Sequence, residues 1–231
     1  MIKLTFVAGF LGQKDDWLDV VDCLSKKMSI RFSLISLKQP LEEILLALQE
    51  SDVCIGYSMG GRLILKLLKE KKMLSSLCIL LSAHLGLTDK KEIDEQRDKE
   101  NQWLAKLNGL PFVDFIEAWY SQDIFSSLKK DLGLRNKIKQ KKATENPDIW
   151  QKVFENHRLS EQSLFIPSSC HFICGEDDIK YKKLYLKYVD KQSLSIVKNG
   201  GHILHMEQPE ACSEIILNLI KHHSKRGLCL Q

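Results

Sequence analysis

The sequence has no apolar run that approaches the ~20 residues a helix needs to span a bilayer, so we expect no membrane insertion. The apolar amino-terminal segment breaks at Gly9 and continues into Lys14, Asp15 and Asp16, which indicates a strand rather than a signal peptide. No recognised nucleic-acid-binding motif accompanies the modest net charge of +4, so no nucleic-acid partner is expected. These absences favour a cytoplasmic protein.

A disulfide framework is not expected either, because the seven cysteines are an odd number and several lie in apolar segments. Cys54, Cys78 and Cys174 fall in predicted core strands, where a thiol acts as a small apolar side chain. A metal site would need a third ligand near His202 and His205, and none follows at metal-site spacing. We therefore expect a reducing compartment and no cofactor.

Short apolar segments alternate with amphipathic helical ones in the first third of the chain, and this rhythm predicts an α/β fold with a mostly parallel sheet. From residue 88 to 162 the pattern is charged and helical, and strands resume at Cys170. The predicted organisation is a core of residues 1–87 and 163–231, with a helical lid of residues 88–162 inserted between strands. Strands are predicted at 3–8, 30–36, 53–57 and 77–83, and lid helices at 90–108, 111–121, 124–132 and 147–156. Aromatic residues of the lid either line its underside or belong to its core; they are Trp103, Trp119, Tyr120, Phe125 and Trp150.

The most informative motif is Gly56-Tyr57-Ser58-Met59-Gly60-Gly61. It lies between the apolar run 53–55 and the helical pattern 62–68. In that setting a Gly-x-Ser-x-Gly sequence predicts a tight strand-to-helix turn that exposes the serine, the nucleophile elbow of α/β-hydrolases. The alternative is a turn whose serine only caps the helix.

A serine hydroxyl is a weak nucleophile and a weak base until an oriented histidine activates it. Asp178 follows the strand-like segment 171–174, and His202 follows the strand-like segment 194–197. Because sites in open α/β sheets lie at the carboxyl ends of the strands, we predict that both residues meet Ser58 there. A solvated acidic turn is the alternative interpretation of Asp178 and its neighbours.

The loop Gly9–Gly12 ends the first predicted strand at the same edge of the sheet. One backbone N–H from this loop and the N–H of Met59 would form an oxyanion hole for Ser58. An ordinary strand-to-helix turn is compatible with that role.

Basic residues concentrate in one stretch, which usually indicates a solvated helix face. An anionic ligand or an acidic carrier protein is the functional alternative. The stretch consists of Lys129, Lys130, Lys137, Lys139, Lys141 and Lys142.

Several motifs together resemble a known family. Core motifs are Gly9-Phe10-Leu11-Gly12 with Asp16-Trp17, Gly56-Tyr57-Ser58-Met59-Gly60-Gly61-Arg62, Cys174-Gly175-Glu176-x-Asp178-x-Lys180-Tyr181, and Gly201-His202 with His205, Glu207 and Pro209. Lid motifs are His84-Leu85-Gly86-Leu87, Gln102-Trp103, Trp119-Tyr120 and Phe125. With these residues the chain resembles the 2-succinyl-6-hydroxy-2,4-cyclohexadiene-1-carboxylate synthases, an α/β-hydrolase family of menaquinone synthesis.

The resemblance implies an α/β-hydrolase fold and a lyase reaction rather than hydrolysis. In that reaction a succinyl-carrying cyclohexene with a pyruvoyl enol ether loses a proton to Ser58, and pyruvate is eliminated. His202 would activate Ser58, and Asp178 would orient the imidazole. The N–H groups of Phe10 and Met59 would stabilise the developing negative charge.

The implied substrate is a polyanionic small molecule, which the family surrounds with arginines. The resulting substrate-binding candidates are Arg62, Tyr57, Arg97, Trp119, Tyr120 and Lys142. The chain departs from the family at Ala8, where the family has histidine, and at Asn101, where it has arginine; Arg97 and Lys99 lie one turn before Asn101. Lys142 stands where a later family arginine falls, and lysine lacks the planar fork that binds a carboxylate with two hydrogen bonds.

Two other functions remain open. A carboxylesterase, for instance one that releases a methyl ester from pimeloyl carrier protein in biotin synthesis, would use Ser58 as an acylated nucleophile. The lost arginines and the basic stretch favour this alternative, because an acidic carrier protein requires a basic docking face. A non-catalytic binding protein is disfavoured because all three candidate positions are filled. The lyase and the esterase differ in product, pyruvate against an alcohol.

Overall fold

The computed structural model describes residues 1–73 and 77–228, and within these ranges six strands form one parallel sheet. The sheet order is β2-β1-β3-β4-β5-β6, with every neighbouring pair parallel. The strands are β1 (Ile2–Val7), β2 (Ile30–Ile35), β3 (Val53–Tyr57), β4 (Leu77–Leu81), β5 (Cys170–Gly175) and β6 (Leu194–Val197). The predicted α/β fold with a parallel sheet is confirmed.

Helices connect the strands and cover the sheet. Those of the strand-to-strand connections are α1 (Leu18–Ser25), α2 (Leu41–Gln49), α3 (Met59–Lys69) and α8 (Ile179–Tyr188). Four lie between β4 and β5: α4 (Lys90–Gly109), α5 (Phe112–Tyr120), α6 (Leu132–Ala143) and α7 (Pro147–Asn156). The chain continues after β6 with α9 (Leu204–Glu207) and α10 (Pro209–Leu228). No helix within the described ranges combines the length and the apolar character that crossing a membrane would require.

The three strands β3, β4 and β5 are buried at every residue, whereas the edge strands β2 and β6 contain partly exposed positions. Continuous apolar strands are typical of a parallel sheet that is covered on both faces. Cys54, Cys78 and Cys174 are fully buried in these strands and act as small core side chains, as predicted. Cys229 lies outside the described residues. The strand that leads into the Gly-x-Ser-x-Gly motif, β3, is therefore held in place by packing on both faces of the sheet.

Strand boundaries agree with the predictions to within two residues, but the predicted helix over 124–132 is wrong. The chain there forms a 3-10 helix, Asp123–Lys129, and a separate helix α6 follows it. The backbone leaves helical geometry at Phe125 (φ −102°, ψ 21°), whose ring packs between Tyr120 and His202. Asp131 then begins α6, because its side chain accepts a hydrogen bond from the N–H of Leu134 at 2.8 Å.

The helical segment between β4 and β5 is attached to the sheet by a buried ion pair. Lys142 is only 1% exposed, and its Nζ lies 2.5 Å from Asp16 Oδ2. Burial raises the pKa of Asp16, but the charge of Lys142 and the hydrogen bonds to the carboxylate outweigh it, so the pKa of Asp16 is lowered. The prediction of a solvated helix face is thus wrong for Lys142, because α6 turns this side of the helix toward the core.

Buried histidines make the fold sensitive to acid. Burial, together with the charges of Lys180 and Arg62, lowers the pKa of His84 to about 3, and burial lowers that of His205 to about 3. An unfolded histidine titrates near 6.5. The folded state therefore binds fewer protons than the unfolded state below that value, and stability is lost as the pH falls from 6.5 toward 3.

We expect the free energy of unfolding, measured with urea, to decrease between pH 7.5 and pH 5. A His84→Gln variant should shrink this decrease by about 2 kcal/mol, because one titrating group is removed. Glutamine supplies an acceptor for the Gly86 N–H that now bonds to His84 Nδ1 at 3.1 Å. The free energy of unfolding of the variant at pH 7.5, compared with that of the wild type, reports any loss of stability that is unrelated to the titration. An unchanged decrease in the variant would mean that His84 titrates in the folded protein.

Candidate active site

Ser58 lies on the sharp turn between β3 and α3, at φ 49° and ψ −113°. This conformation is unusual for a residue with a side chain and is typical of the strained serine of a nucleophile elbow. The glycines on either side of Ser58 are required because a side chain there would clash with neighbouring atoms. A Cβ at Gly56 would lie 2.7 Å from the Cα of Gly61, and one at Gly60 would lie 2.4 Å from the carbonyl oxygen of Ala8. The geometry favours the elbow over a simple helix cap, since the Ser58 side chain makes no capping hydrogen bond to α3.

Asp178 and His202 meet beside this turn. Asp178 follows β5, and His202 belongs to the loop after β6; each is 2% exposed. The Nδ1 of His202 lies 2.8 Å from Asp178 Oδ2, which also accepts a hydrogen bond from the Ser82 hydroxyl at 2.8 Å. The other oxygen, Oδ1, accepts from the backbone N–H of Tyr181 at 3.4 Å. The carboxylate is held from three directions, and the imidazole takes its orientation from the carboxylate.

The glycine loop that carries His202 is pinned by Glu207. The Glu207 carboxylate accepts hydrogen bonds from the N–H groups of Gly201 (2.6 Å) and Ile203 (3.1 Å) and from the Ser127 hydroxyl (3.0 Å). Burial raises the pKa of Glu207, and these hydrogen bonds oppose the rise. Both neighbours of His202 are thereby fixed, which leaves the imidazole little freedom to turn.

Ser58 and His202 line the same cavity, whose volume is about 190 Å³. Phe10 and Met59, whose N–H groups were predicted to form an oxyanion hole, line it as well. Trp119 also lines it, so this side chain contributes to the underside of the helical segment. Apolar side chains in a cavity wall strengthen the electrostatic interactions inside a site.

The walls of the cavity also carry four cationic side chains and one carboxylate. The cations are Arg62, Lys99, Arg158 and Lys180, and the carboxylate is Glu100. Partial burial and the charges of Lys99 and Arg62 lower the pKa of Lys180, and the charge of Asp178 opposes them. Lys99 and Arg62 therefore lie near enough to Lys180 for their positive charges to repel it. The cavity suits an anionic ligand.

Three other predicted residues, Tyr57, Tyr120 and Lys142, line a second cavity that also reaches Ser58. Its volume is about 40 Å³, enough for only a few water molecules. Burial raises the pKa of Tyr57 and that of Tyr120 far above the usual value, so both phenols are neutral. Lys142 is paired with Asp16. The three side chains therefore pack next to Ser58 and add no unpaired charge to the site.

Arg97 does not line the cavity of Ser58. Its side chain is 50% exposed, and Nη1 lies 2.8 Å from Asp94 Oδ1. The face of α4 that lines the cavity consists of Gln96, Lys99, Glu100 and Trp103. These positions follow the three- and four-residue spacing of one helix face, and Arg97 falls outside it. The prediction for Arg97 is corrected to an exposed surface position.

Arg158, Ser82 and Glu207 have site positions that the sequence reasoning did not assign. Arg158 follows α7 and enters the cavity only through the packing of α7 against α4. No sequence signal distinguishes Ser82. It directly follows β4 with a positive φ of 45°, and its hydroxyl donates a hydrogen bond to Asp178. Glu207 was noted only as part of a motif. Within the described ranges, no group of three histidine, cysteine or acidic residues is arranged to hold a metal ion.

The sheet and the serine turn define an α/β-hydrolase fold, and comparisons with known proteins agree. No protein-family model matches the chain. MenH from S. aureus has a TM-score of 0.82 at 18% identity and covers 96% of this chain and 94% of its own. A thermophilic esterase from Thermogutta terrifontis has a TM-score of 0.63 at 14% identity, covering 96% and 90%.

Curated relatives indicate an enzyme of this fold. The chain is 24% identical to the 2-succinyl-6-hydroxy-2,4-cyclohexadiene-1-carboxylate synthase of Klebsiella pneumoniae (strain 342), over 90% of this chain and 89% of that protein. It is 25% identical to the synthase of the same name from Yersinia enterocolitica, over 96% and 87%. The chain therefore resembles these synthases along most of its length, as its motifs predicted.

Proposed function

We propose that this protein is a carbon–oxygen lyase of menaquinone synthesis that removes a proton from a succinyl-cyclohexene carboxylate and eliminates pyruvate. The observation that carries the proposal is the charge of the cavity beside Ser58 and His202, where four cations face one carboxylate. A substrate with succinyl, ring and pyruvoyl carboxylates matches that excess. An uncharged ester gains little from it. The sequence similarity to the synthases supports the same choice.

In the proposed reaction His202 accepts the hydroxyl proton of Ser58 as Ser58 Oγ removes a proton from a ring carbon. The electron pair of that C–H bond forms a ring double bond, and the ring C–O bond breaks. The departing pyruvate enolate takes from His202 the proton that the imidazole had accepted and becomes pyruvate, while the ring proton stays on Ser58 Oγ, so both residues return to their starting state. Asp178 stabilises the imidazolium that forms, through the 2.8 Å contact with Nδ1.

Backbone groups would stabilise the charge that develops away from the serine. Phe10 and Met59 line the cavity next to Ser58, and Met59 is the first residue of α3. The first N–H groups of a helix have no partner within the helix, and the helix dipole favours negative charge there. We therefore assign the N–H groups of Met59 and Phe10 to the developing oxyanion.

The carboxylesterase alternative would use the same three residues, with Ser58 acylated instead of acting as a base. The argument for this alternative was that the lysine-rich stretch of residues 129–142 could serve as a docking face for an acidic carrier protein. Four of the six lysines in the stretch are already paired with acids of this chain, as the contacts of Lys130, Lys139, Lys141 and Lys142 show. Because these four charges are paired within the chain, the stretch offers fewer free positive charges to an acidic carrier protein.

A turnover assay with both substrate classes tests the proposal. Purified protein is given the succinyl-cyclohexene precursor, with pyruvate release coupled to lactate dehydrogenase, and in parallel short-chain p-nitrophenyl esters. We expect pyruvate release with little ester cleavage. A Ser58→Ala preparation should show only background pyruvate release, whereas Ser195→Ala, which changes a serine bonded to His171 on β5, should match the wild type. Ester cleavage without pyruvate release would support the esterase instead.

A further inference from the structure

Two of the cations in the cavity wall belong to helices that connect neighbouring strands of the sheet, and two belong to the helical segment between β4 and β5. Arg62 lies on α3 and Lys180 on α8, whereas Lys99 lies on α4 and Arg158 follows α7. Among the described residues, no carboxylate lies within ion-pair distance of any of the four. A ligand in the cavity would therefore meet positive charge from both sides.

Within the described ranges, the cavity wall contains one carboxylate, Glu100, and its oxygens are already hydrogen-bonded. Glu100 Oε1 accepts hydrogen bonds from the N–H groups of Leu159 (2.6 Å) and Ser160 (3.3 Å), and Oε2 accepts from the Ser160 hydroxyl at 2.6 Å. These residues directly follow Arg158. Glu100 thus fixes the backbone that carries Arg158 and leaves the guanidinium without an acidic partner.

The guanidinium itself is oriented by Asn101, whose Oδ1 accepts a hydrogen bond from Arg158 Nη1 at 2.9 Å. This bond uses one of the five donors of the arginine fork. The others remain able to bind a carboxylate with two parallel hydrogen bonds, an arrangement that lysine does not offer. Lys99 lines the same wall and adds a second positive charge.

We propose that Arg158, assisted by Lys99, binds the terminal carboxylate of the substrate's succinyl side chain. The proposal rests on the proposed function, which supplies a substrate with three carboxylates. Arg62 lies four residues after Ser58 and would bind a carboxylate near the reacting carbon. The succinyl carboxylate ends the longest side chain of the substrate, and Arg158 and Lys99, which the helical segment between β4 and β5 contributes to the cavity wall, would bind it. Arg158 would then select substrates with a distal carboxylate.

Steady-state kinetics of an Arg158→Gln variant test the assignment. Glutamine removes the charge but keeps a donor for Asn101. Loss of a charged hydrogen bond should raise KM for the succinyl-cyclohexene substrate about 10- to 100-fold, with kcat changed less than about threefold. Arg158→Lys should recover part of the loss. Arg31→Gln, the same change at an exposed position of β2, should have no effect. An unchanged KM in Arg158→Gln overturns the assignment.

Direct binding separates this proposal from the proposed function. Succinamate, which carries the same terminal carboxylate as the succinyl side chain, and its uncharged counterpart succinamide are titrated into each protein while the fluorescence of the cavity tryptophans, Trp103 and Trp119, is followed. Tighter binding of succinamate than succinamide by the wild type, lost in Arg158→Gln, supports the carboxylate subsite even if no pyruvate is released. Pyruvate release with no preference for succinamate, or with a preference that persists in Arg158→Gln, would retain the lyase and reject the subsite. Absence of both pyruvate release and this preference would reject both proposals.

Discussion

Replacing Asp178 with asparagine is expected to lower kcat about 10⁴-fold, the size of effect that the same substitution has in a Ser-His-Asp hydrolase triad. The carboxylate now accepts hydrogen bonds at both oxygens, from His202 and Ser82 at Oδ2 and from the Tyr181 N–H at Oδ1. An amide has one oxygen and one NH₂ group, so it matches only part of this pattern.

Either orientation of the asparagine is unfavourable. With NH₂ toward His202, the imidazole must present an unprotonated Nδ1, and its proton moves to the nitrogen that Ser58 requires as an acceptor. With NH₂ toward Tyr181, two donors face each other, and the negative charge that stabilises the imidazolium is lost in both cases. The fold should tolerate the change, because the two side chains have the same shape.

The measurement is kcat for pyruvate release between pH 6 and pH 9, together with thermal unfolding of the variant. Asp177→Asn is the matched control, because it makes the same substitution one residue earlier, at a half-buried carboxylate that pairs with Lys130 at 2.7 Å. It should retain activity within about threefold, since a surface ion pair contributes at most about 1 kcal/mol. Equal losses in the two variants would show that Asp178 acts only through folding.

Replacing Lys142 with methionine is expected to destabilise the protein by about 3 kcal/mol, near the lower end of the cost of breaking a buried ion pair. Methionine keeps most of the volume, so the loss comes from the Asp16 carboxylate that is left without its main partner. Lys141, whose Nζ lies 3.0 Å from Asp16 Oδ1, still provides a contact and limits the effect.

Urea unfolding at pH 7.5 measures the change. Lys137→Met on the same helix is the control, and its free energy of unfolding should stay within about 0.5 kcal/mol of the wild type because Lys137 is exposed. The double variant Asp16→Asn/Lys142→Met should recover most of the loss, since no charge then remains unpaired in the core. A double variant as unstable as Lys142→Met would contradict this interpretation and point to packing.

Much of the fold was predictable from local pattern. The apolar strands β3, β4 and β5 and the glycines around Ser58 follow short-range rules, because burial on both faces and a tight turn each leave a signature within a few residues. The order of serine, acid and histidine could also be read along the chain, since all three follow predicted strands. The interruption at Phe125 could not, because it depends on the rings of Tyr120 and His202 that pack against it.

The sequence by itself determined the parallel α/β architecture, the strained position of Ser58, and the identity of the acid and the histidine that contact each other near that turn. Tertiary structure alone decided which charges reach the cavity. Arg97 and Lys99 are two positions apart on one helix, yet only Lys99 faces the cavity. Lys142 is paired with Asp16, and Arg158 comes from the segment that follows α7. The reason is physical: a turn is specified by its own residues, whereas the surroundings of a charge depend on segments distant in sequence.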